Sequence, residues 1–352
     1  MNPVKTIEWT GRSAKLLDQT LLPGTVKYRH VRTEGEMWEA IKVLRVRGAP
    51  AIGVAAAYGV YLGVKERQPV TLEEFRGAVR EAAEYLNTSR PTAVNLSWAV
   101  NECVRAAEAL PEGTPVKEAM AALLEKAKEI HRDDEERCAA IARHGAPLLE
   151  PASGVLTHCN AGALATAGVG TAVGVILEAA KTGNFVVYAD ETRPLLQGAR
   201  LTAWELQQAG VEYRLLGDSM GASAMQRGLV NAVVTGADRI AANGDSANKI
   251  GTMPLAICAK HFKVPFYIAA PLSTVDYSIK SGGDIPIEER GDEELTHIGK
   301  RRIAPEGAKT FNPAFDVVPA KLIAAIITEV GVIRPPFGKG LREARNKAAD
   351  QV

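Results

Sequence analysis

The sequence predicts an α/β protein with two domains: an N-terminal part of helices and a few leading strands, and a C-terminal doubly wound domain. The chain has 352 residues, a length that suits two domains. After residue 151, short apolar runs alternate with helical stretches, a rhythm that gives right-handed βαβ units and a parallel sheet. Before residue 145, helix-start signals dominate instead. The predicted domains are residues 1–148 and 149–352.

Composition and charge argue against several other classes of protein. Hydrophobic residues make up 46% of the chain and charged residues 24%, which is typical of a globular protein rather than a disordered one. The 42 basic and 41 acidic residues nearly cancel, whereas proteins that bind nucleic acid or anionic membranes usually carry a basic excess. We therefore expect neither nucleic acid nor a membrane as a partner. The opening residues MNPVKTIEW lack an apolar signal core, which favours a cytoplasmic protein.

Sequence motifs disfavour the commonest alternative functions. The four cysteines form no CxxC pair, so a zinc ribbon or a redox dithiol is not expected. The uncharged stretch 151–177 is long enough to cross a bilayer, but its polar residues and glycines favour a buried strand, loop and helix. Gly168-x-Gly170 does not fit a dinucleotide fingerprint, because the strand before it ends about ten residues earlier. The sequence has no P-loop, HExxH or GxSxG motif.

Three helices are predicted in the N-terminal part from local signals. The segment RGAPAIGVAAAYGVYLGV, which begins at Arg47, is rich in small apolar residues and is typical of a buried helix that packs closely. Thr71 and Glu74 form a T-x-x-E capping box at the start of the second helix. A third helix is predicted to start at Thr114-Pro115 and to end at Gly145.

Strands and helices are predicted to alternate in the C-terminal part. The predicted strands are 154–158, 184–189, 211–216, 230–235 and 264–270, and the helices between them are about 161–181, 198–209, 219–227 and 249–261. The tail after residue 334 is basic and is expected to be surface helix or coil.

Chemically useful side chains follow several of these strands. The first strand ends at His158, Cys159 and Asn160, the second at Asp190, and the fourth just before Asp238. Ligands of an open parallel sheet bind outside the carboxyl ends of its strands. Cys159 is suited to nucleophilic attack or proton transfer, although a cysteine can also be a small buried apolar residue. Asp238 is suited to acid–base chemistry, or to a helix cap or an Asx turn.

Three cations are predicted at helix starts, where backbone N–H groups and the helix dipole favour phosphate. Arg47 precedes Gly48-Ala49-Pro50, Arg90 precedes Pro91 and the expected N-cap Thr92, and Lys249 follows Asn248. One such cation is usually only solvated. Three in the same setting favour a phosphate-binding site.

Eight separated blocks then carry a family resemblance that runs nearly end to end. They are RGAPAIGVAAAYG (47–59), SRPTAVNLSWA (89–99), LTHCNAGALAT (156–166), ETRPLLQGARLTAWEL (191–206), GADRIAANGDSANKIGT (236–252), VPFYIAAPLSTVD (264–276), IPIEER (285–290) and NPAFDVVP (312–319). These blocks closely resemble the methylthioribose-1-phosphate isomerase family of methionine salvage. The wider fold family also holds regulatory subunits of a translation-initiation exchange factor and ribose-1,5-bisphosphate isomerase.

The resemblance implies a site, a fold and an assembly. It implies an N-terminal domain of small β-sheet plus helices, a C-terminal Rossmann-like catalytic domain, no metal or cofactor, and a homodimer. It implies that Cys159 and Asp238 are catalytic and that the substrate is bound by Arg47, Gly48, Ala49, Arg90, Gln197, Asn248 and Lys249. Ser89 stands where the family more often has Thr, a change that touches none of these roles.

The implied activity is aldose–ketose isomerisation of 5-methylthio-α-D-ribose 1-phosphate. Asp238 would open and close the sugar ring as general acid and base, and Cys159 would assist hydrogen transfer from C2 to C1. That transfer is either a proton relay or a hydride shift, and the loop after Cys159 offers no chargeable residue before Glu178. The open alternatives are an isomerase of 5-deoxyribose 1-phosphate or ribose 1,5-bisphosphate, and a non-catalytic translation-factor regulatory subunit.

Overall fold

The computed structural model describes residues 4–90 and 93–349, which form two compact units. The N-terminal unit takes its described residues from 4–136 and 163–169, and the C-terminal unit from 137–162 and 170–349. The two-domain division at residues 148 and 149 stays a prediction. None of the described helices is long and apolar enough to span a membrane.

The N-terminal unit combines a three-stranded antiparallel sheet with helices. The strands, in the spatial order of the sheet, are β1 (Ile7–Trp9), β2 (Ala14–Leu17) and β3 (Tyr28–Val31). The helices are α1 (Glu34–Lys42), α2 (Ala49–Arg67), α3 (Leu72–Asn87), α4 (Val94–Glu108) and α5 (Val116–Gly145), the last of which continues into the C-terminal unit.

Helix α2 is the buried helix that its small residues predict. Every residue from 51 to 60 is buried. Gly53 allows the close approach of α4, because a Cβ atom there would lie 2.9 Å from the carbonyl oxygen of Asn95. The unit's apolar core therefore forms around a helix that has no polar face.

The predicted helix caps are partly confirmed. The hydroxyl of Thr71 accepts the N–H of Glu74 at 3.1 Å, and the Glu74 carboxylate accepts the N–H of Val70 at 2.8 Å. Helix α5 ends at Gly145 as predicted, but this glycine is right-handed, with φ of −84°, and leads into a 3-10 turn instead of forming a left-handed cap. Glycine is required there by packing, since a Cβ atom would lie 2.5 Å from Cγ2 of Val175.

The C-terminal unit contains the remaining strands and helices. The strands are β4 (Gly154–Thr157), β5 (Val186–Asp190), β6 (Tyr213–Leu216), β7 (Ala232–Thr235), β8 (Arg239–Ala241), β9 (Ser246–Lys249), β10 (Phe266–Ala269), β11 (Val275–Asp276), β12 (His297–Ile298), β13 (Arg301–Arg302), β14 (Phe315–Val318), β15 (Ala325–Thr328) and β16 (Gly331–Ile333). The helices are α6 (Ala172–Ala179), α7 (Ala203–Gln208), α8 (Gly221–Gln226), α9 (Thr252–His261), α10 (Asp292–Thr296) and α11 (Phe337–Ala349).

Seven of these strands form the predicted doubly wound sheet. Its order is β6-β5-β4-β7-β10-β15-β16, and every neighbouring pair is parallel except β15 with β16. The chain runs from β4 outward through β5 and β6, then returns to β7 and continues outward through β10 and β15. The topological switch point, where ligands bind in such sheets, therefore lies between β4 and β7. The α/β fold class is confirmed.

Alternating strand residues bury both faces of this sheet. Val155 and Val187 pack on one face with the apolar residues of α6, whereas Leu156 and Val233 pack on the other with those of α8, α9 and α11. Both faces are apolar, so the polar residues of the strands are found where the strands end.

Two predicted helices are shorter than expected. In the predicted helix 161–181, only Ala172–Ala179 is α-helical, because Gly162 and Gly170 form a β-bridge that holds the intervening residues in a loop. In the predicted helix 249–261, α9 begins at Thr252, because residues 246–249 form β9 and pair with β8 and β14. The small sheet of order β11-β8-β9-β14 was not predicted.

Candidate active site

Cys159 and Asp238 lie on the two sides of the switch point of the sheet. Cys159 follows β4 and Asp238 follows β7, which are adjacent parallel strands. The loops after these strands touch, since a Cβ atom on Gly236 would lie 2.8 Å from Cβ of Ala161. The fold therefore brings a thiol and a half-buried carboxylate to the edge where a ligand is expected.

The backbone of Cys159 is held in an unusual conformation. Its φ of 62° is left-handed, which is rare for a residue with a side chain. Its N–H donates to the hydroxyl of Thr192 at 2.8 Å, and its carbonyl accepts the hydroxyl of Thr202 at 2.6 Å. Such a conformation persists only where the surroundings impose it. The two threonines, which were not predicted from the sequence, therefore fix the direction of the cysteine side chain.

Gln197, seven residues after the end of β5, presents an unsatisfied side-chain oxygen. The residue is 8% exposed, and its Oε1 accepts no hydrogen bond from the residues that the structure describes. It precedes one turn of π-helix, Gly198–Thr202, an irregularity frequent at functional sites. Gly198 lies directly against the carbonyl of Asp190, which leaves no space for a Cβ atom. A buried amide oxygen without a donor costs free energy, and a sugar hydroxyl is suited to supply one.

Asn248 and Lys249 end β9 rather than starting a helix. Asn248 is buried and donates to the hydroxyl of Thr252 at 3.0 Å. The ammonium of Lys249 donates to the carbonyl of Ala314 at 2.9 Å and lies 4.7 Å from the ring centroid of Phe315. No described carboxylate lies within 4.0 Å of this ammonium, so its charge is available to an anionic ligand.

The N-terminus of α9 is already capped. The carboxylate of Asp316 accepts the N–H groups of Gly251 at 2.8 Å and Met253 at 3.0 Å. Burial raises the pKa of Asp316, and these two N–H groups oppose that rise. A protein carboxylate thus occupies this helix start, and the prediction that Lys249 begins a helix is wrong, whereas its role in binding phosphate stays a prediction.

In the N-terminal unit, Arg47, Gly48 and Ala49 form the start of α2. Gly48 is the N-cap with a left-handed φ of 92°, and a Cβ atom there would lie 2.5 Å from the backbone of Ala165. No side chain caps this helix, a setting that suits an anion. Arg47 and Arg90 are half-buried. The predicted N-cap Thr92 lies outside the described residues.

A buried His158–Asp190 pair lies beside the catalytic candidates. Nδ1 of His158 lies 3.0 Å from Oδ2 of Asp190, and Nε2 lies 2.9 Å from the carbonyl oxygen of Ile250. Burial opposes the charged imidazole, but the carboxylate of Asp190 outweighs it and raises the pKa of His158. Burial also raises the pKa of Asp190, and His158 opposes that rise.

One group of described side chains has the spacing of a metal site. His158, Asp190 and Asp218 each offer a ligand atom, and these atoms lie within 4.8 Å of one another. Asp218, however, uses both carboxylate oxygens to accept the N–H groups of Thr192 and Arg193, at 2.7 and 2.6 Å. The hydrogen bonds of the group thus account for its arrangement without an ion.

Glu205 is a buried carboxylate that the sequence did not reveal. It is 4% exposed, accepts the side-chain amide of Asn160 at 2.8 Å, and lies against Gly162. The loop after Cys159 itself has no chargeable residue before Glu178, but the fold brings Glu205 against it from another part of the chain. In sequence, Glu205 stands in a helix beside Trp204, where a solvated glutamate is the ordinary reading.

The fold and the placement of these side chains define an α/β protein with a candidate ligand site at its topological switch point. The chain belongs to the Initiation factor 2 subunit family, whose model matches residues 45–335. It is 53% identical over 96% of its length to "5-deoxyribose 1-phosphate isomerase" of Moorella thermoacetica, covering 97% of that protein. It is also 53% identical, with the same coverage, to "Methylthioribose-1-phosphate isomerase" of Thermotoga neapolitana.

A solved structure is similar over the whole chain. The 5-methylthioribose 1-phosphate isomerase of Pyrococcus horikoshii OT3 superposes with a TM-score of 0.92 at 43% identity. The match covers 97% of this chain and 96% of that one. The fold described above is thus shared with that isomerase.

Proposed function

We propose that this protein is an aldose–ketose isomerase that converts 5-methylthio-α-D-ribose 1-phosphate to 5-methylthio-D-ribulose 1-phosphate in methionine salvage. The observation that carries the proposal is the placement of Cys159 and Asp238 after adjacent strands at the switch point. Relatives that bear this enzyme name and match nearly the whole chain support the substrate.

The phosphate of this substrate makes ring opening difficult. It blocks the anomeric oxygen, so the sugar cannot open spontaneously to a free aldehyde. An acid must protonate the ring oxygen as the C–O bond breaks, and a base must later remove the proton of the 2-hydroxyl. One carboxyl group can do both in turn, and we assign this role to Asp238. Cys159 assists the transfer of hydrogen from C2 to C1.

The substrate ligands are assigned by charge and hydrogen-bonding capacity. Positive charge for the phosphate comes from Arg47, Arg90 and Lys249, and N–H groups come from Gly48 and Ala49. The amides of Gln197 and Asn248 are assigned to sugar hydroxyls, and the unsatisfied oxygen of Gln197 supports that assignment. No metal or cofactor is required by this chemistry.

The substituent at C5 separates the two best-supported substrates. The Moorella relative, named as a 5-deoxyribose 1-phosphate isomerase, is as similar as the methylthioribose relatives. A 5-deoxy substrate is thus the second candidate. Proton NMR of product formation with methylthioribose 1-phosphate, 5-deoxyribose 1-phosphate and ribose 1,5-bisphosphate decides by the ratio of kcat/KM values. If the methylthio group is bound in an apolar pocket, each missing group of methylene size should lower kcat/KM by about 10- to 200-fold.

If the protein turns over none of the three sugars, the regulatory-subunit alternative is supported and the proposal is overturned. The homodimer and the cytoplasmic location are part of the same proposal. Light scattering after gel filtration tests the first, and fractionation of cells tests the second.

A further inference from the structure

We propose that His158 is a positioning residue of this site, a buried imidazolium that ties the end of β4 to the segment after β9. The first of these carries Cys159, and the second follows Asn248 and Lys249 directly. The kinetic part of the test rests on the proposed isomerase function, and the spectroscopic part does not.

The hydrogen-bond partners of His158 place one proton on Nε2 and set Nδ1 against a buried carboxyl group. A backbone carbonyl can only accept, so Nε2 carries a proton toward Ile250. Nδ1 faces a carboxylate oxygen of Asp190, whose other oxygen accepts no hydrogen bond from the described residues. A buried carboxylate requires a compensating charge, and the His158 ring supplies it when both nitrogens are protonated. Two more carboxylates act on this ring, those of Asp218 and Asp316.

The same ring connects the two segments mechanically. Gly251 packs on it, since a Cβ atom there would lie 2.9 Å from Cε1 of His158. On the other side of the ring, the hydroxyl of Thr192 donates to the backbone carbonyl oxygen of Asp190 at 3.1 Å. The same hydroxyl accepts the N–H of Cys159. His158 and Cys159 are thus both anchored to the end of β5, while Nε2 of His158 holds the backbone that leads from Lys249 into α9.

Two amide substitutions separate the two contacts. In His158→Asn the side-chain amide can replace Nδ1 as donor to Asp190 but does not reach Ile250, whereas in His158→Gln it can replace Nε2. We expect His158→Asn to raise KM by about fivefold or more with kcat changed by less than about threefold, because the Asn248–Lys249 segment loses its tie. We expect His158→Gln to lower kcat by about tenfold or more with the smaller effect on KM, because the end of β4 is released.

The matched control is His144→Gln. His144 is half-buried and contacts a backbone carbonyl, that of Thr328, at 3.0 Å. Its kinetic constants should stay within about twofold of wild type. The positioning role would be overturned if the kinetic constants of both His158 variants were unchanged. It would also be overturned if both variants showed the same fall in kcat and the same rise in KM.

A spectroscopic measurement on the wild-type protein completes the test. With ¹⁵N-labelled histidine, the ring of His158 should keep protons on both nitrogens at pH values above ~6.5, the ordinary pKa of histidine. Its signal is identified by its absence in His158→Asn or, if that variant does not fold, by its shift in Asp190→Asn. A neutral ring across this range overturns the proposal. Because no turnover is needed, absence of isomerase activity leaves this result readable and counts only against the proposed function.

Discussion

The hydroxyl of Thr202 donates to the carbonyl oxygen of Cys159 at 2.6 Å, and the hydroxyl of Thr192 accepts the N–H of the same residue at 2.8 Å. Both backbone groups of the cysteine are thus satisfied by side chains rather than by the sheet ladder. The strand stops at Thr157, and the left-handed turn at Cys159 aims its side chain differently from a continued strand. The catalytic role proposed for the thiol depends on this turn.

Replacing the two hydroxyls should separate geometry from chemistry. Thr192→Val and Thr202→Val keep the shape of the side chain, and each removes one hydrogen bond to the backbone of Cys159. Thr192→Val also removes a bond to the carbonyl of Asp190, and Thr202→Val also removes a bond from the amide of Asn160. We expect kcat to fall by about tenfold in each variant, because Cys159 can relax from its left-handed conformation. Unfolding free energy should fall by about 1–3 kcal/mol, because a buried backbone group loses its partner. Enzyme assays and urea unfolding measure the two effects, with the exposed Thr182→Val as the control. Wild-type kcat in both variants would contradict the clamp.

Asp238→Asn should remove proton transfer while it preserves the fold. The amide keeps the shape and most hydrogen bonds, but it cannot give up and take back a proton. General acid–base steps contribute about 10²- to 10⁴-fold, so turnover should fall by at least about 100-fold with an unchanged melting curve. The exposed Asp284→Asn is the matched control and should behave as wild type. Turnover within about threefold of wild type would remove Asp238 from the mechanism.

Loss of a phosphate-binding cation should weaken substrate binding. Arg47→Ala and Lys249→Ala each delete a charge-assisted contact worth roughly 1.5–3 kcal/mol, or about 10- to 150-fold in affinity. Titration calorimetry with methylthioribose 1-phosphate measures this loss, and kcat/KM should follow it. The control is Lys260→Ala, a lysine exposed near the end of α9. Unchanged binding in both test variants would show that the phosphate ligands are assigned wrongly.

A buried ion pair in the N-terminal unit should control stability in acid. Asp18 is fully buried and accepts hydrogen bonds from Thr20, Arg29 and Arg45 at 2.5–2.7 Å. Burial alone would raise the pKa of Asp18, but these three partners outweigh it and hold the pKa below its usual range. The carboxylate therefore stabilises the fold above about pH 4, and that contribution is lost as the pH falls through the folded-state pKa.

Asp18→Asn should accordingly make the free energy of unfolding depend less on pH in acid. At neutral pH we expect unfolding free energy to fall by about 3 kcal/mol, because two arginines lose their shared carboxylate. Urea unfolding at about pH 7 and about pH 2 should then show a smaller difference than in wild type. An equal difference in both proteins would show that another group governs the acid limb.

Sequence predicted the parts of the fold that depend on local pattern. The five apolar runs were each strands to within a few residues, and their ends placed Cys159 and Asp238 correctly after β4 and β7. Residues 161–170 were predicted as helix because alanine and glycine composition does not reveal a β-bridge. Lys249 was assigned to a helix start because its strand partner Phe315 lies far along the chain.

The polar contacts around the site were beyond sequence reasoning. Glu205 reads as a solvated helix residue until the chain folds and Asn160 is placed against it. The His158–Asp190 pair joins two strand ends that are 32 residues apart. Burial and partners of this kind arise from tertiary packing and leave no periodic signal.

The route of hydrogen transfer should be a direct hydride shift. Substrate deuterated at C2 is converted in H₂O, and the deuterium at C1 of the product is counted by NMR. We expect retention, because Cys159 is only 8% exposed and a neutral thiol, unlike a thiolate, is a poor base. Retention alone is also compatible with a sealed relay, and the buried Glu205 carboxylate could serve in one.

Two variants separate these routes. Under a hydride shift, Cys159→Ala should keep measurable activity with full retention, since the thiol then only shapes the environment of the migrating hydrogen. Glu205→Gln should also retain the label, because no proton passes through its carboxylate. A sealed relay predicts instead that Cys159→Ala loses turnover to the level of the uncatalysed reaction. Substantial loss of deuterium to solvent in the wild-type product would overturn the hydride shift and make Cys159 the base, because only a proton released to a protein group can exchange with water.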